Sequence, residues 1–153
     1  MGVNQRADIK MTEDEIHTFL HEKRTMSMAT IGPAGRIHLV AMWYGFVDGV
    51  IGFETKTKSQ KVQNLRRDKR LTVLVEDGLS YEELRGVEIA GWGEVIDDPE
   101  QLFELGVSVF ERYQAPYTDE MKPFVEMMLN KRVLVKLHSE QVVSWDHRKI
   151  ATG

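Results

Sequence analysis

The chain has 153 residues, 42% of them hydrophobic, no cysteine, and 20 Lys and Arg against 24 Asp and Glu for a net charge of −4. This length and apolar content predict one globular domain over residues 1–153 and exclude a disordered chain; the missing cysteines exclude disulfides, thiolate metal sites and a cysteine nucleophile. The acidic total speaks against nucleic acid as a partner. The longest apolar stretch, Leu39 to Val47, is less than half of the roughly 20 residues that span a bilayer, so with a polar N-terminus a soluble cytoplasmic protein is expected.

In chain order, Thr12 and Glu15 form a Thr-x-x-Glu capping box, and Ile16, Phe19 and Leu20 follow on one helical face. Met26 to Ile31 reads as a strand, Gly32 to Gly35 as a turn, and Arg36 to Val47 as a long branched and aromatic strand. Asp48 and Gly49 are a strong hairpin signal, with Val50 to Thr55 as the returning strand. A helix is expected from Ser59 to Asp68 with Val62 and Leu65 inward, then strands over Arg70 to Glu76 and Gly86 to Ile96. In the second of these, Gly91 and Gly93 mark a bulge or a close backbone approach. Asp98 and Pro99 open a helix carrying Leu102, Phe103, Leu105, Val109 and Phe110. Another helix starts near Thr118 with Met121, Phe124, Val125 and Met128, and Arg132 to His138 and Gln141 to Asp146 close the chain as two strands. About seven strands with two or three helices imply a closed or partly closed antiparallel barrel, because closure removes exposed edges.

The most informative segment is Lys56 to Arg70, with seven basic residues against one acidic. It carries +6 and leaves the other 138 residues at −10. Thr55, Lys56, Lys58, Ser59 and Lys61 fall where a strand ends and a helix begins. Free backbone N–H groups and the helix dipole favour an anion there, so a phosphate site is one reading. A solvated helix face with a Ser cap is another, and an RNA patch a third, although no aromatic residue interleaves the lysines.

The run GFETKTKSQKVQNLRRDKRLTVLVED, after a long strand and a tight hairpin, resembles the split β-barrel flavin and deazaflavin oxidoreductases, the superfamily of pyridoxamine 5′-phosphate oxidase. The NLRRD element after a Lys-containing turn is similar to the branch that uses coenzyme F420. The resemblance spans about Met26 to Asp97 and implies a mainly β (α+β) fold, a split antiparallel barrel with flanking helices, and a homodimer. It implies a cofactor phosphate at Lys58, Ser59 and Lys61, a ring system along the backbone of Val40, Ala41 and Met42, and a contact at Thr55. Gln60 stands where the oxidases carry Arg, which weakens FMN as the cofactor unless Lys58 supplies the missing charge. Tyr44 stands where they carry the Lys that holds the substrate phosphate, which argues against pyridoxamine phosphate as substrate. Trp43 and Tyr44 are candidates for the pocket wall over the ring, or for core packing. Trp145 and Arg148 lie in surroundings unlike those of the oxidases' C-terminal Trp and Arg.

The implied activity is hydride transfer from reduced F420 to a small electron-poor acceptor such as a quinone, enone or tetrapyrrole. An FMN oxidase or reductase and a carrier without turnover are the alternatives. Hydride transfer asks the protein for position and dryness more than for acid–base groups, which suits a chain with no nucleophile elbow, no His-Glu-x-x-His and no Walker loop. His17 and His21 could clamp a metal only with a third ligand from elsewhere, and otherwise read as helix surface. His38 is left open between barrel mouth and core, and the adjacent Glu82 and Glu83 give no glycosidase signal.

Overall fold

The Thr12 capping box forms as its spacing requires: Thr12 Oγ1 accepts from the Glu15 N–H at 3.2 Å, and the Glu15 carboxylate accepts from the Thr12 N–H at 2.9 Å. In the computed structural model, which describes residues 5–150, a short helix α1 (Gln5–Asp8) precedes the capped α2 (Glu13–Glu22). Phe19 and Leu20 are buried, and Ile16 packs against the same core.

The strands are β1 (Thr25–Ile31), β2 (Ile37–Trp43), β3 (Gly45–Val47), β4 (Val50–Lys56), β5 (Arg70–Asp77), β6 (Arg85–Ile96) and β7 (Arg132–Asp146). They make one antiparallel sheet in the order β2-β1-β5-β6-β7-β4-β3. Its two ends, β2 and β3, are consecutive in the chain, so the sheet curls into a split barrel whose seam lies at Tyr44. Helices α3 (Gln60–Arg67), α4 (Pro99–Tyr113) and α5 (Lys122–Met128) flank it. The interior holds Met26, Met28, Phe53, Leu71, Val73, Val87 and Val135; α4 seals Val47 and Leu134 with Leu105 and Val109, and α5 packs on α4 through Val125 and Leu129. Among the described residues no helix is long and apolar enough to cross a membrane.

The Asp48-Gly49 turn has both residues in the left-handed region, at φ 53° and 76°, as a two-residue hairpin needs. Gly91 sits at a bulge, and a Cβ there would lie 1.9 Å from the carbonyl oxygen of His138. Three expectations are corrected. The strand expected over Arg36 to Val47 is broken at Tyr44, whose N–H bonds to the Tyr113 hydroxyl at 3.1 Å and whose side chain is fully buried. Beyond it Gly45 presses β3 against α4, since a Cβ there would meet Ser108 Oγ at 2.8 Å. The two closing strands are a single strand, β7, because Gly91 pairs with Ser139 and Ala90 with Gln141; Glu140 is the extra residue of a bulge and not part of a hairpin turn. The helix expected from Thr118 begins at Lys122 after a single tight turn, Asp119–Met121, and buries Val125 while Phe124 stays exposed.

Candidate functional site

Helix α3 is placed by polar anchors on its inner side. Asn64, fully buried between Val62 and Leu65, donates from Nδ2 to Thr30 Oγ1 at 3.1 Å. Its Oδ1 accepts from Gln60 Nε2 at 2.7 Å and from Arg67 Nη2 at 3.2 Å, and Arg67 also donates to the Ile31 carbonyl at 2.8 Å. Asn64 escaped the sequence reading, although a polar residue within an inward face was its signal.

These anchors sort the cationic segment. Arg67 is spent on backbone, Arg70 is forked onto Asp68 and holds that carboxyl down at about 2, and Lys69 lies over the Trp92 ring. The ammonium groups of Lys56, Lys58 and Lys61 have no hydrogen-bond or ion-pair partner among the described residues and stand around the start of α3, whereas Arg66, also without a side-chain partner there, sits in the last turn of the helix. Ser59 caps the helix, accepting from the Val62 N–H at 3.4 Å and from Thr55 Oγ1 at 3.2 Å; Thr55 itself is buried. The Gln60 and Lys61 N–H groups belong to the unsatisfied first turn. This donor set fits a phosphate: three unpaired ammonium groups, free N–H groups and the positive end of a helix. Gln60, committed to Asn64, brings no charge.

Strand β2 pairs only with β1, so its outer backbone groups have no sheet partner. Ala41 is exposed on the same side as Trp43, Leu39 and Ile37, whereas Val40 and Met42 point the other way and pack against the core. The strand therefore offers a ligand one free edge and one shallow face. Tyr44 is not part of that wall. Its hydroxyl donates to the Leu20 carbonyl at 2.6 Å, and burial pushes its phenol up to about 12. Arg112 stacks on its ring and donates to the carbonyls of Tyr44, His21 and Lys23, and Tyr113 donates to that of Arg24. Tyr44 is thus a core residue that ties the barrel seam to the end of α2. Trp43 stays 55% exposed and stacks on Tyr113 at 4.2 Å and 9°.

Beyond Trp43 a pocket of about 390 Å³ opens between β4, β7 and the ends of α4 and α5. Glu54 and Arg132 form an ion pair of 2.8 Å in its wall. Burial pushes the Glu54 carboxyl above the ordinary carboxylate range, and Arg132 offsets only part of that. The sequence reading missed this pair; an acid in the otherwise apolar strand VIGFETK was the available signal.

The remaining residues have structural places. His17 and His21 stack at 4.0 Å, with His21 flat on Phe46, and no group of three metal ligands exists among the described residues. His38 lies opposite Thr30, and its buried Nδ1 has no hydrogen-bond partner. Trp145 lies over Gly86, where a Cβ would meet the indole at 2.2 Å, and Arg148 forks onto Asp146.

Comparison with known proteins agrees with this fold. A conserved hypothetical protein from Mycobacterium tuberculosis, solved as a crystal structure, is 54% identical, with a TM-score of 0.95 over 99% of this chain and 94% of that one. A protein described as an F420 reductase is 24% identical, with a TM-score of 0.62 over 82% of this chain and 94% of that one. The heme storage protein HutZ from Vibrio cholerae is 16% identical, with a TM-score of 0.67 over 86% of this chain and 94% of that one. The last two are likenesses of fold alone. No curated protein matches the sequence. The sequence model of pyridoxamine 5′-phosphate oxidase matches residues 12–146, and the chain belongs to that family.

Proposed function

We propose that the protein is an oxidoreductase that uses coenzyme F420, holds the cofactor phosphate at the start of α3, and passes hydride to a small electron-poor acceptor. The observation that carries this reading is the trio Lys56, Lys58 and Lys61, without partners around a helix start whose cap is fixed by Thr55. An uncompensated cationic cluster in a body of net charge −10 is held against its own repulsion, and a bound phosphate relieves it. When bound, the reduced deazaflavin supplies the hydride. The chain's part is to orient: Lys58, Lys61 and the Ser59 turn hold the phosphate, and the free edge of β2 at Val40, Ala41 and Met42 aligns the ring system by backbone hydrogen bonds. An F420 reductase of the same fold is the precedent. FMN in the same groove is the second reading; the same lysines favour it, and the neutral Gln60 weakens it.

Ile37 and Leu39, each 67% exposed on the outer side of β2, make a paired apolar surface on the cofactor strand. A homodimer that buries this face would also keep the site dry. Leu39→Glu should then shift the species measured by light scattering from dimer to monomer, and a wild-type monomer would remove this part of the proposal. For the cofactor, fluorescence titration with F420 and absorbance titration with FMN decide. Tight F420 binding with weak FMN binding is expected, and binding of neither ends both enzymatic readings. Oxidation of added reduced F420 by menadione separates catalysis from a carrier role.

A further inference from the structure

The wall of the pocket beyond Trp43 sets the Glu54–Arg132 ion pair beside the core residues Val109 and Phe110. Gly52, on the same face of β4 as Glu54, packs against the side chains of Leu134 and Leu105, while Gln114 and Asn130 share the pocket wall with the ion pair. Desolvating an acid and a guanidinium there gains little stability, because a hydrophobic pair of similar volume would do as well or better. Their place in a pocket wall, with polar atoms left unpaired, points to a ligand.

The wall also dictates the ligand's chemistry. Glu54 Oε2 accepts from Arg132 Nη1, while the other carboxylate oxygen and the remaining guanidinium N–H groups have no protein partner among the described residues. An acceptor and a donor thus stand side by side with their charges cancelled. An anion would be repelled by Glu54 and a cation by Arg132, whereas a neutral edge with an N–H beside a C=O satisfies both. Tyr113 covers one face of Trp43, and the open face is a stacking platform. Met127, 66% exposed at the rim, adds an adaptable apolar contact. The volume is near the low end of the roughly 300–1,000 Å³ typical of small-molecule sites, which suits two fused rings.

We propose that this pocket binds a neutral, planar two-ring heterocycle by its lactam edge, with the ring N–H donating to Glu54, the carbonyl accepting from Arg132, and the ring stacked on Trp43. The site is independent of the phosphate reading and is tested on cofactor-free protein. Equilibrium dialysis of the full chain against 2-quinolone should show saturable binding. N-methyl-2-quinolone, which keeps the rings and the carbonyl but lacks the N–H, should bind at least about tenfold more weakly, the factor for losing a hydrogen bond to a charged group. Trp43→Ala should weaken 2-quinolone by a similar factor while the protein stays folded, its Tm falling by no more than the few degrees that loss of the Tyr113 stacking costs. The double variant Glu54→Leu/Arg132→Met, which removes both the acceptor and the donor and strands no buried charge, should abolish the preference for the N–H compound. No binding of 2-quinolone, equal binding of the N-methyl compound, or full affinity in Trp43→Ala would each overturn the proposal, whether or not the double variant folds. Menadione, flat and without an N–H, binding as tightly as 2-quinolone would overturn it too.

Discussion

Lys61→Ala separates a phosphate site from a solvated helix face. The half-buried Lys61 side chain has no protein partner, and its charged neighbours Lys56 and Lys58 carry the same sign. Removing it takes away no hydrogen bond or ion pair and some repulsion, so stability should change by no more than about 0.5 kcal/mol in either direction. In the complex the same ammonium makes a charge-assisted hydrogen bond to phosphate, worth about 1.5–3 kcal/mol, or roughly a 10- to 150-fold change in Kd. Two further lysines and the helix N–H groups remain, which puts the expected loss at the lower end, about 10- to 30-fold. Fluorescence titration of F420 at two salt concentrations reads it, and the variant should also show a shallower salt dependence. Arg67→Ala is the control, because Arg67 is spent on Ile31 and Asn64 and should cost stability first. Unchanged F420 affinity in Lys61→Ala, or an affinity loss matched by a loss of stability, would refute the assignment.

Two further predictions concern the frame around the site. Arg112→Met keeps an apolar stem over Phe46 and removes three donors, leaving the Tyr44, His21 and Lys23 carbonyls to water because the Tyr44 and Tyr113 hydroxyl protons are already given to Leu20 and Arg24. The cost should be about 2–3 kcal/mol, a fall in Tm of about 5–10 °C for a chain of this size; a fall below about 1 °C would show that water replaces the guanidinium without penalty. The Arg148 fork holds the Asp146 carboxyl below its ordinary range despite burial. Because the folded value lies below the unfolded one, this stabilisation is present above the unfolded pKa of about 3.9 and is lost as pH falls through the folded value. Arg148→Met should therefore move the acid-unfolding midpoint to higher pH, and an unmoved midpoint would show that the pair contributes nothing.

What could be read from the sequence was set by the distance over which each decision is made. The Thr12 box, the Asp48-Gly49 turn, the Asp98 cap and the Ser59 cap are settled within a few residues, and all four formed. The cationic helix start is equally local, so its address was legible while the pairing of its charges was not. Which of seven basic residues stay free depends on Ile31 and Thr30, on a strand that hydropathy alone does not bring alongside. The break at Tyr44 is decided by Arg112 and Tyr113, 68 and 69 residues away, and the Glu54–Arg132 pair spans 78. The continuity of β7 was hidden for a different reason: residues 139–140 read as a polar turn, and only the register against Gly91 shows that one residue bulges out while the strand continues.

The seam at Tyr44 joins the fold to the site. Successive side chains along a strand point to opposite sides, so drawing Tyr44 into the core turns Trp43 outward. The hydroxyl of Tyr113 that takes the Tyr44 N–H belongs to the ring on which Trp43 lies. One set of contacts therefore ends β2, places β3 beneath α4 and fixes the indole at the pocket mouth. Matching Tyr44 to a ligand-facing position by resemblance fails because a ligand wall needs exposure, and Arg112 with Leu20 has already claimed this ring. The exposed aromatic surface passes to the preceding residue. A charged side chain at position 44 would have to be desolvated beneath Arg112 in this barrel, so the Arg112 latch and a charge at the seam exclude each other.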